Sequence, residues 1–358
     1  MATTEFGVGH ALAQKLWARK LFHEVRGEGF FNNFVGKSDS SLIQLKTETQ
    51  KDAGDRITVG LRMLATGAGI QGDSTLEGNE ESLTTRSDNL LINQLRHAFR
   101  SAGKMTEQRV PFSVREELRA SCTDWWRERL ETSMANQLTG YADQSDTRYT
   151  GNNTAVEPST SRIVVGGGHD TEASLSLTTT HAIALSDLDR AVAKAKVNSP
   201  RIRPLRIDGK SMYVSFLHPY QIYRMRRDAS TAGNFFDVQK AILQGGKISD
   251  NPIITGAEFI YNNVVVHEWS YLPVVKSTVT SSTSYRRGVF CGAQAAIMGV
   301  GMAGNPTEMT WVEDLFDYDN QLGVSAGMIF GVKKTIFTDN GATADFGTIV
   351  LSGYAPAP

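Results

Sequence analysis

Between residues 57 and 99 the chain carries two extended runs separated by a stretch with almost nothing to bury. Ile57, Val59, Leu61 and Met63 alternate with Thr58, Gly60 and Arg62, the period-two pattern of a strand with one apolar face. That strand runs into TGAGIQGDSTLEGNEE, from Thr66 to Glu81, which is rich in glycine and acid. A second extended run follows from Leu83 to Phe99, with Leu91, Leu95 and Phe99 on one side. The pattern predicts a long hairpin with a polar tip. A lone two-stranded hairpin is marginal in water, so it either folds back on its own core or draws its stability from another subunit. The residues alone leave that choice open.

The flanking segments supply the body. From residue 10 to 26, Leu12, Leu16, Trp17, Leu21 and Val25 fall at mostly helical spacing among Lys15, Arg19, Lys20 and Arg26, an amphipathic arm that needs a surface to lie on. Pro111 and Ser113 mark the start of the strongest helix, and Glu116 and Glu117 suit its positive end. Val114, Leu118, Cys122, Trp125, Trp126, Leu130, Met134 and Leu138 form one stripe, and Gly140 stops the helix. About 26 residues at 1.5 Å each give a spine of about 39 Å. Residues 141–180 are rich in Thr, Ser, Asn and Gly and read as surface loops between two structured halves.

Beyond them, a helix capped by Ser186 runs through SDLDRAVAKAKV. The strands SMYVSFL and EFIYNNVVVHEW alternate with the helical FFDVQKAILQGG. After the KSTVTSSTS loop the chain returns to strands, with Val324, Ala326, Met328, Phe330 and Val332 alternating and FGTIVLSGY near the end. The class this implies is α+β.

Charge and cysteine usage narrow the function. Lys and Arg number 37 against 38 Asp and Glu, a formal charge of -1, so no global field draws the chain to nucleic acid or membrane. Charge is local instead: Arg190, Lys194, Lys196, Arg201, Arg203, Arg206, Lys210, Arg224, Arg226 and Arg227 face only Asp208 in the same interval. Such a block reads as solvated faces with internal partners, as a subunit contact, or as a surface for packaged DNA. Cys122 and Cys291, far apart and without metal-ligand spacing, read as buried free thiols. The N-terminus lacks the apolar core of a signal peptide, and no run of apolar residues is long enough for a membrane helix. Folding in a reducing cytosol is therefore expected.

Enzyme motifs occur and each lacks its context. Gly67, Gly69 and Gly72 match GxGxxG, but the residues that follow carry Asp73, Glu77, Glu80 and Glu81, which would repel a pyrophosphate. Gly323, Ser325 and Gly327 match the nucleophile elbow, yet strand alternation continues through them and no His follows the Ser. Asp208 to Ser211 resembles the end of a phosphate loop whose earlier Gly is Pro204. His267 and Glu268 begin an HExxH-like run that Tyr271 breaks. Asp317 and Asp319 begin a calcium-like loop without its Gly and Glu. No catalytic residue, cofactor or metal is expected.

Residues 52–119, DAGDRITVGLRMLATGAGIQGDSTLEGNEESLTTRSDNLLINQLRHAFRSAGKMTEQRVPFSVREELR, resemble the major capsid family of enquatrovirus-like podophages. The resemblance extends through TTEFGVGHALAQKLWARKLF, CGAQAA (291–296) and DYDNQLGVSAGMIFGVKK (317–334) and is weakest from about 140 to 180. It implies the tailed-phage and herpesvirus capsid fold: an N-terminal arm (1–40), an extended hairpin loop (41–102), a peripheral domain with the spine helix (103–140 and 310–358), a polar loop region (141–185) and an axial mixed α/β domain (186–309).

On this resemblance the hairpin lies over a neighbouring subunit. The function is a structural one, self-assembly into hexamers and pentamers of an icosahedral head enclosing double-stranded DNA. The competing readings are a tail or decoration protein and a serine hydrolase using Ser325. Candidate subunit contacts are Asp73, Glu77, Glu80 and Glu81 at the tip, Ile57, Val59, Leu61 and Met63 on the strand, Trp17 in the arm, and Arg201, Arg203 and Arg206 in the basic block. Expected partners are other copies, a portal, a candidate decoration protein, DNA through non-specific contacts and, because the arm begins almost at Met1, a separate scaffolding protein. The expected location is the virion capsid, assembled in the host cytoplasm, with no membrane partner.

Overall fold

Ser113 and Gly140 bracket one uninterrupted helix, Val114–Thr139, of the 26 residues that the apolar stripe predicts. The computed structural model describes residues 30–47, 54–62, 67–83, 85–111, 113–172, 179–207, 209–227, 257–275, 285–301, 309–339 and 342–357. The amphipathic arm with Trp17, Met63, the FFDVQKAILQGG segment and the KSTVTSSTS loop lie outside the described residues. Gly140 closes the helix with φ 63° and returns its N–H to Asn136 and Gln137. A Cβ there would stand 2.4 Å from the Val156 carbonyl oxygen, so both the backbone angle and the space demand glycine. At the other end the Ser113 side chain makes no cap bond. Its carbonyl oxygen takes the Glu116 and Glu117 N–H groups.

Two sheets flank the spine. The six-stranded one runs Val35–Gly36, Ile43–Lys46, Ala296–Val300, Gln321–Lys334 and Thr310–Phe316, with Asn93–Arg100 on the other side of Gln321–Lys334. The eight-stranded one runs Ile163–Val165, Thr348–Tyr354, Tyr285–Cys291, Lys210–Leu217, Val264–Glu268 and Phe259–Tyr261. Val274–Val275 and Leu205–Ile207 are added at its sides. Cys122, Trp126, Met134 and Leu138 of the spine share one apolar core with Phe330 and Val332 of the first sheet and Phe216 and Val289 of the second. The helix Leu185–Val197 covers the far face of the second sheet with Leu188, Ala191, Val192 and Ala195.

Sheet membership redraws the expected boundaries. Thr348–Tyr354, assigned with the peripheral segment 310–358, lies in the eight-stranded sheet between Tyr285–Cys291 and Ile163–Val165. Ile163–Val165 thereby leaves the polar loop region, and Ala296–Val300, assigned to the axial segment, pairs with Gln321–Lys334. The second extended run breaks at the buried Ile92: Thr85–Leu91 belongs to the hairpin, whereas Asn93–Arg100 is knitted into the six-stranded sheet. The helix expected to be capped by Ser186 starts at Leu185, where the Asp187 carboxylate accepts the Ala184 N–H at 3.0 Å.

Candidate interaction surfaces

Seven residue pairs join Arg56–Arg62 to Thr85–Leu91 as the predicted hairpin. Its root is apolar: Ile57, only 2% exposed, packs with Leu90, Ile92 and Ile297, and Val59 and Ile329 lie against them. Ile57, expected at a subunit contact, is thus spent inside its own chain. The alternation identified the apolar face, and this small core is what covers it. Val59 is half-buried at the margin of the same cluster, and Leu61 pairs with Arg86 in the ladder. Beyond the ladder, Gly67 to Leu83 is exposed throughout, including Asp73, Glu77, Glu80, Glu81 and the apolar Ile70, Leu76 and Leu83, the last 71% exposed. Glu81 accepts the Gly67 N–H and Glu80 the Gly78 N–H, both at 2.8 Å, so two of the four acids also brace the turns. No helix follows the glycines, as a dinucleotide site would need.

The basic block divides in two. Arg190 and Lys194 turn inward: Arg190 bonds Asp187, Asp170 and the Val165 and His169 carbonyls, and Lys194 bonds Asp170 and the Ile163 carbonyl. Their shared partner Asp170 is held below the ordinary carboxylate range, chiefly by the Lys194 hydrogen bond. Arg201, Arg203 and Arg206 instead stand exposed around the strand Leu205–Ile207, with Arg203 bonded to Gln294. Lys196, Lys210, Arg226 and Arg227 are exposed as well, Arg226 paired with Glu258.

A second projecting feature was not foreseen. The turn between Thr310–Phe316 and Gln321–Lys334 sets Asp317, Tyr318 and Asp319 at φ 53°, 51° and 66°, three consecutive left-handed residues without a glycine. Tyr318 is fully exposed, and Val312, Leu315 and Phe316 are exposed beside it. By sequence these acids offer only an incomplete calcium loop, and among the described residues no cluster suited to a metal occurs. The available signal was apolar: Leu315 and Phe316 end a strand whose inward positions are already taken by Trp311 and Glu313.

Arg287, in the middle of the second sheet, hydrogen-bonds the carboxylates of Glu172 and Glu157 and the Gly140 carbonyl, tying the C-terminal end of the spine to that sheet. Burial opposes ionisation of Glu172, but the Arg287 hydrogen bond and charge hold its carboxyl below the usual range. Ser325 sits in mid-strand, paired with Val312 on one side and Ala98 on the other, so the sharp turn of a nucleophile elbow is absent at that position. His267 lies buried in the strand Val264–Glu268 against Phe30 and Phe34. Burial pushes the Cys122 thiol up to about 11 and also raises Cys291, both of them free and buried, which makes them poor nucleophiles. No helix among the described residues is long and apolar enough to cross a membrane.

Comparison with known proteins agrees over the whole length. Residues 5–357 match the model of a family described as phage capsid protein. A curated relative, the major capsid protein of Pseudomonas phage KPP25, is 28% identical, with 93% of each chain covered. The capsid of Ralstonia phage GP4 superposes with a TM-score of 0.79 at 28% identity over 100% of this chain and 99% of that one. The capsid asymmetric unit of cyanophage Pam1 has a TM-score of 0.70 over 92% of each chain, and its 17% identity speaks to the fold alone.

Proposed function

The chain belongs to the phage capsid protein family, and on that premise we propose that it is the major capsid protein of a tailed-phage head. It self-assembles into hexamers and pentamers of an icosahedral shell around double-stranded DNA. The observation that carries this reading is the division of the hairpin into a root buried against Leu90, Ile92 and Ile297 and a tip, residues 67–83, that is exposed from end to end. A rigid root aims the tip, and an exposed segment with Ile70, Leu76 and Leu83 gains by covering a sister copy.

Charge sets where it lands. Asp73, Glu77, Glu80 and Glu81 carry the tip's charge, with no Lys or Arg between Gly67 and Leu83, and the exposed Arg201, Arg203 and Arg206 of a neighbour are its candidate partners. Exposed ion pairs contribute only about 0 to 1 kcal/mol each, so they select register while buried apolar area supplies strength. Val59 and Leu61 extend the same contact down the hairpin, and Met63 and Trp17 keep their places as candidate contacts. Closed symmetry then turns many modest contacts into a shell. A separate scaffolding protein, a portal and a decoration protein complete the proposed partners, with DNA met through non-specific contacts and assembly taking place in the host cytoplasm.

The test is charge reversal of the tip, Asp73→Lys, Glu77→Lys and Glu80→Lys together, with assembly imaged at low and high salt. Aberrant or absent shells at low salt, with partial recovery at high salt, are expected. Normal shells at both would reject the tip contact.

A further inference from the structure

We propose that the turn following Thr310–Phe316 is a knob-and-cleft contact between copies of this chain, with Tyr318 of one copy seated in the cleft beside Leu315 and Leu322 of the next. The inference rests on the shell-forming reading and adds a second contact that does not involve the hairpin tip.

Three observations converge on it. First, the turn is built at a conformational cost. Asp317, Tyr318 and Asp319 all have positive φ, a region that non-glycine residues seldom occupy in succession. The strain is held by Asn320, whose N–H reaches the Asp317 carbonyl at 3.0 Å and whose side-chain oxygen takes the Lys104 N–H at 3.3 Å. What the strain achieves is the full projection of an aromatic ring, flanked by the exposed Val312, Leu315 and Phe316, with Met105 of the adjoining helix Lys104–Arg109 66% exposed as well. Tyrosine is enriched among residues that dominate protein interfaces.

Second, a cleft of about 150 Å³ opens beside the projecting ring, lined by Leu315 and Leu322 with Lys104, Arg115, Asn320 and the acids Glu107 and Asp319. An apolar cavity of about 150 Å³ is enough to hold a benzene ring, so the cleft has room for one aromatic ring. Leu315 and Leu322 offer the ring apolar walls, Lys104 a cation, and Glu107 an acceptor for the phenol O–H. Third, charge matches across such a contact. The loop bears Asp314, Asp317 and Asp319, with no Lys or Arg from Trp311 to Val332, and the receiving helix carries Lys104 and Arg109 against Glu107 alone. Knob and cleft lie side by side on one patch, so one copy cannot satisfy both and a second copy of the chain fits.

The test uses full-length chains of two kinds. Tyr318→Cys chains are co-assembled with Lys104→Cys chains and oxidised. The native thiols Cys122 and Cys291 are buried and do not compete. A disulfide-linked pair at least tenfold more abundant than in either variant alone is the expected result. Particles that form without linking, or Tyr318→Cys chains that link equally well to themselves, overturn the proposal. Should cysteine variants fail to assemble, Tyr318→Ala decides. A raised critical concentration for shell formation, by about tenfold or more with unchanged circular dichroism, supports the contact, and wild-type assembly rejects it. Wild-type chain that forms no shells under any condition would reject the capsid reading itself, whereas unlinked but normal shells reject only this contact.

Discussion

Lys334 and Asp345 form an ion pair 2.7 Å long with 1% and 2% of their side chains exposed. Lys334 ends the long strand of the first sheet, and its ammonium also donates to the Val156 carbonyl at 3.0 Å. Asp345 accepts the Ser159 N–H at 3.0 Å. The pair therefore fastens a strand end, the segment that follows the spine and the approach to the last strand at one sealed point. Burial pushes the Lys334 ammonium below its ordinary range, and the carboxylate of Asp345 works against that fall.

Removing one partner strands a charge. Asp345→Ala is expected to lower the stability of the unassembled chain by about 3 to 5 kcal/mol, because an isolated buried ammonium has no water to return to. The double variant Lys334→Met, Asp345→Leu should recover most of that loss, since apolar residues of similar volume often replace a buried pair at little cost. Urea unfolding of the three chains measures both numbers. A double variant no more stable than the single one would show that the segment needs the charges themselves.

Glu131 predicts a pH dependence. It is buried on the spine and accepts N–H groups from Phe30 at 2.7 Å and Trp269 at 3.0 Å, yet burial pushes its carboxyl up to about 7 against these donors and Arg127. The folded chain thus keeps up to about pH 7 a proton that the unfolded chain releases near 4.5. Stability from this group is complete below 4.5 and is lost as pH rises through about 7, a decline of roughly 3 kcal/mol at about 1.4 kcal/mol per unit. Urea midpoints from pH 5 to 8 should fall for the wild type and run flatter for Glu131→Gln. Equal slopes would assign the pH dependence elsewhere.

The parts of the fold that could be read from the residues are those with local causes. Ser113 and Gly140 bound the spine because helix ends depend on their own few residues, and the strand Arg56–Arg62 shows its period of two directly. Strand partners have no such local signal. Thr348–Tyr354 is buried on both faces, so its burial does not alternate and the sequence names neither Tyr285–Cys291 nor the parallel Ile163–Val165 beside it. At the surfaces the acidic tip was legible as composition. Ile57 was not, because alternation shows which side chains share a face and not what covers it. Tyr318 carries no sequence signal, because its exposure follows from backbone angles that the residue type disfavours.

The same hairpin root supplies the sharpest test of how the tip is aimed. Ile57→Ala removes the side chain that Leu90, Ile92 and Ile297 enclose, and a truncation of this kind costs about 2 to 5 kcal/mol where the site cannot collapse. The loss should be local, because the cluster stands apart from the core shared by the spine and both sheets. Hydrogen exchange of the amides in Arg56–Arg62 and Thr85–Leu91 is therefore expected to quicken while the spine stays protected. Gly299→Ala attacks the root from the other side, since its Cβ would stand 2.7 Å from Ile57 Cδ1 and 2.8 Å from Leu90 Cδ2. Both variants should assemble poorly through misdirection of an intact tip. Either one building shells at the wild-type rate with a fast-exchanging root would mean that the tip finds its place without the root's guidance.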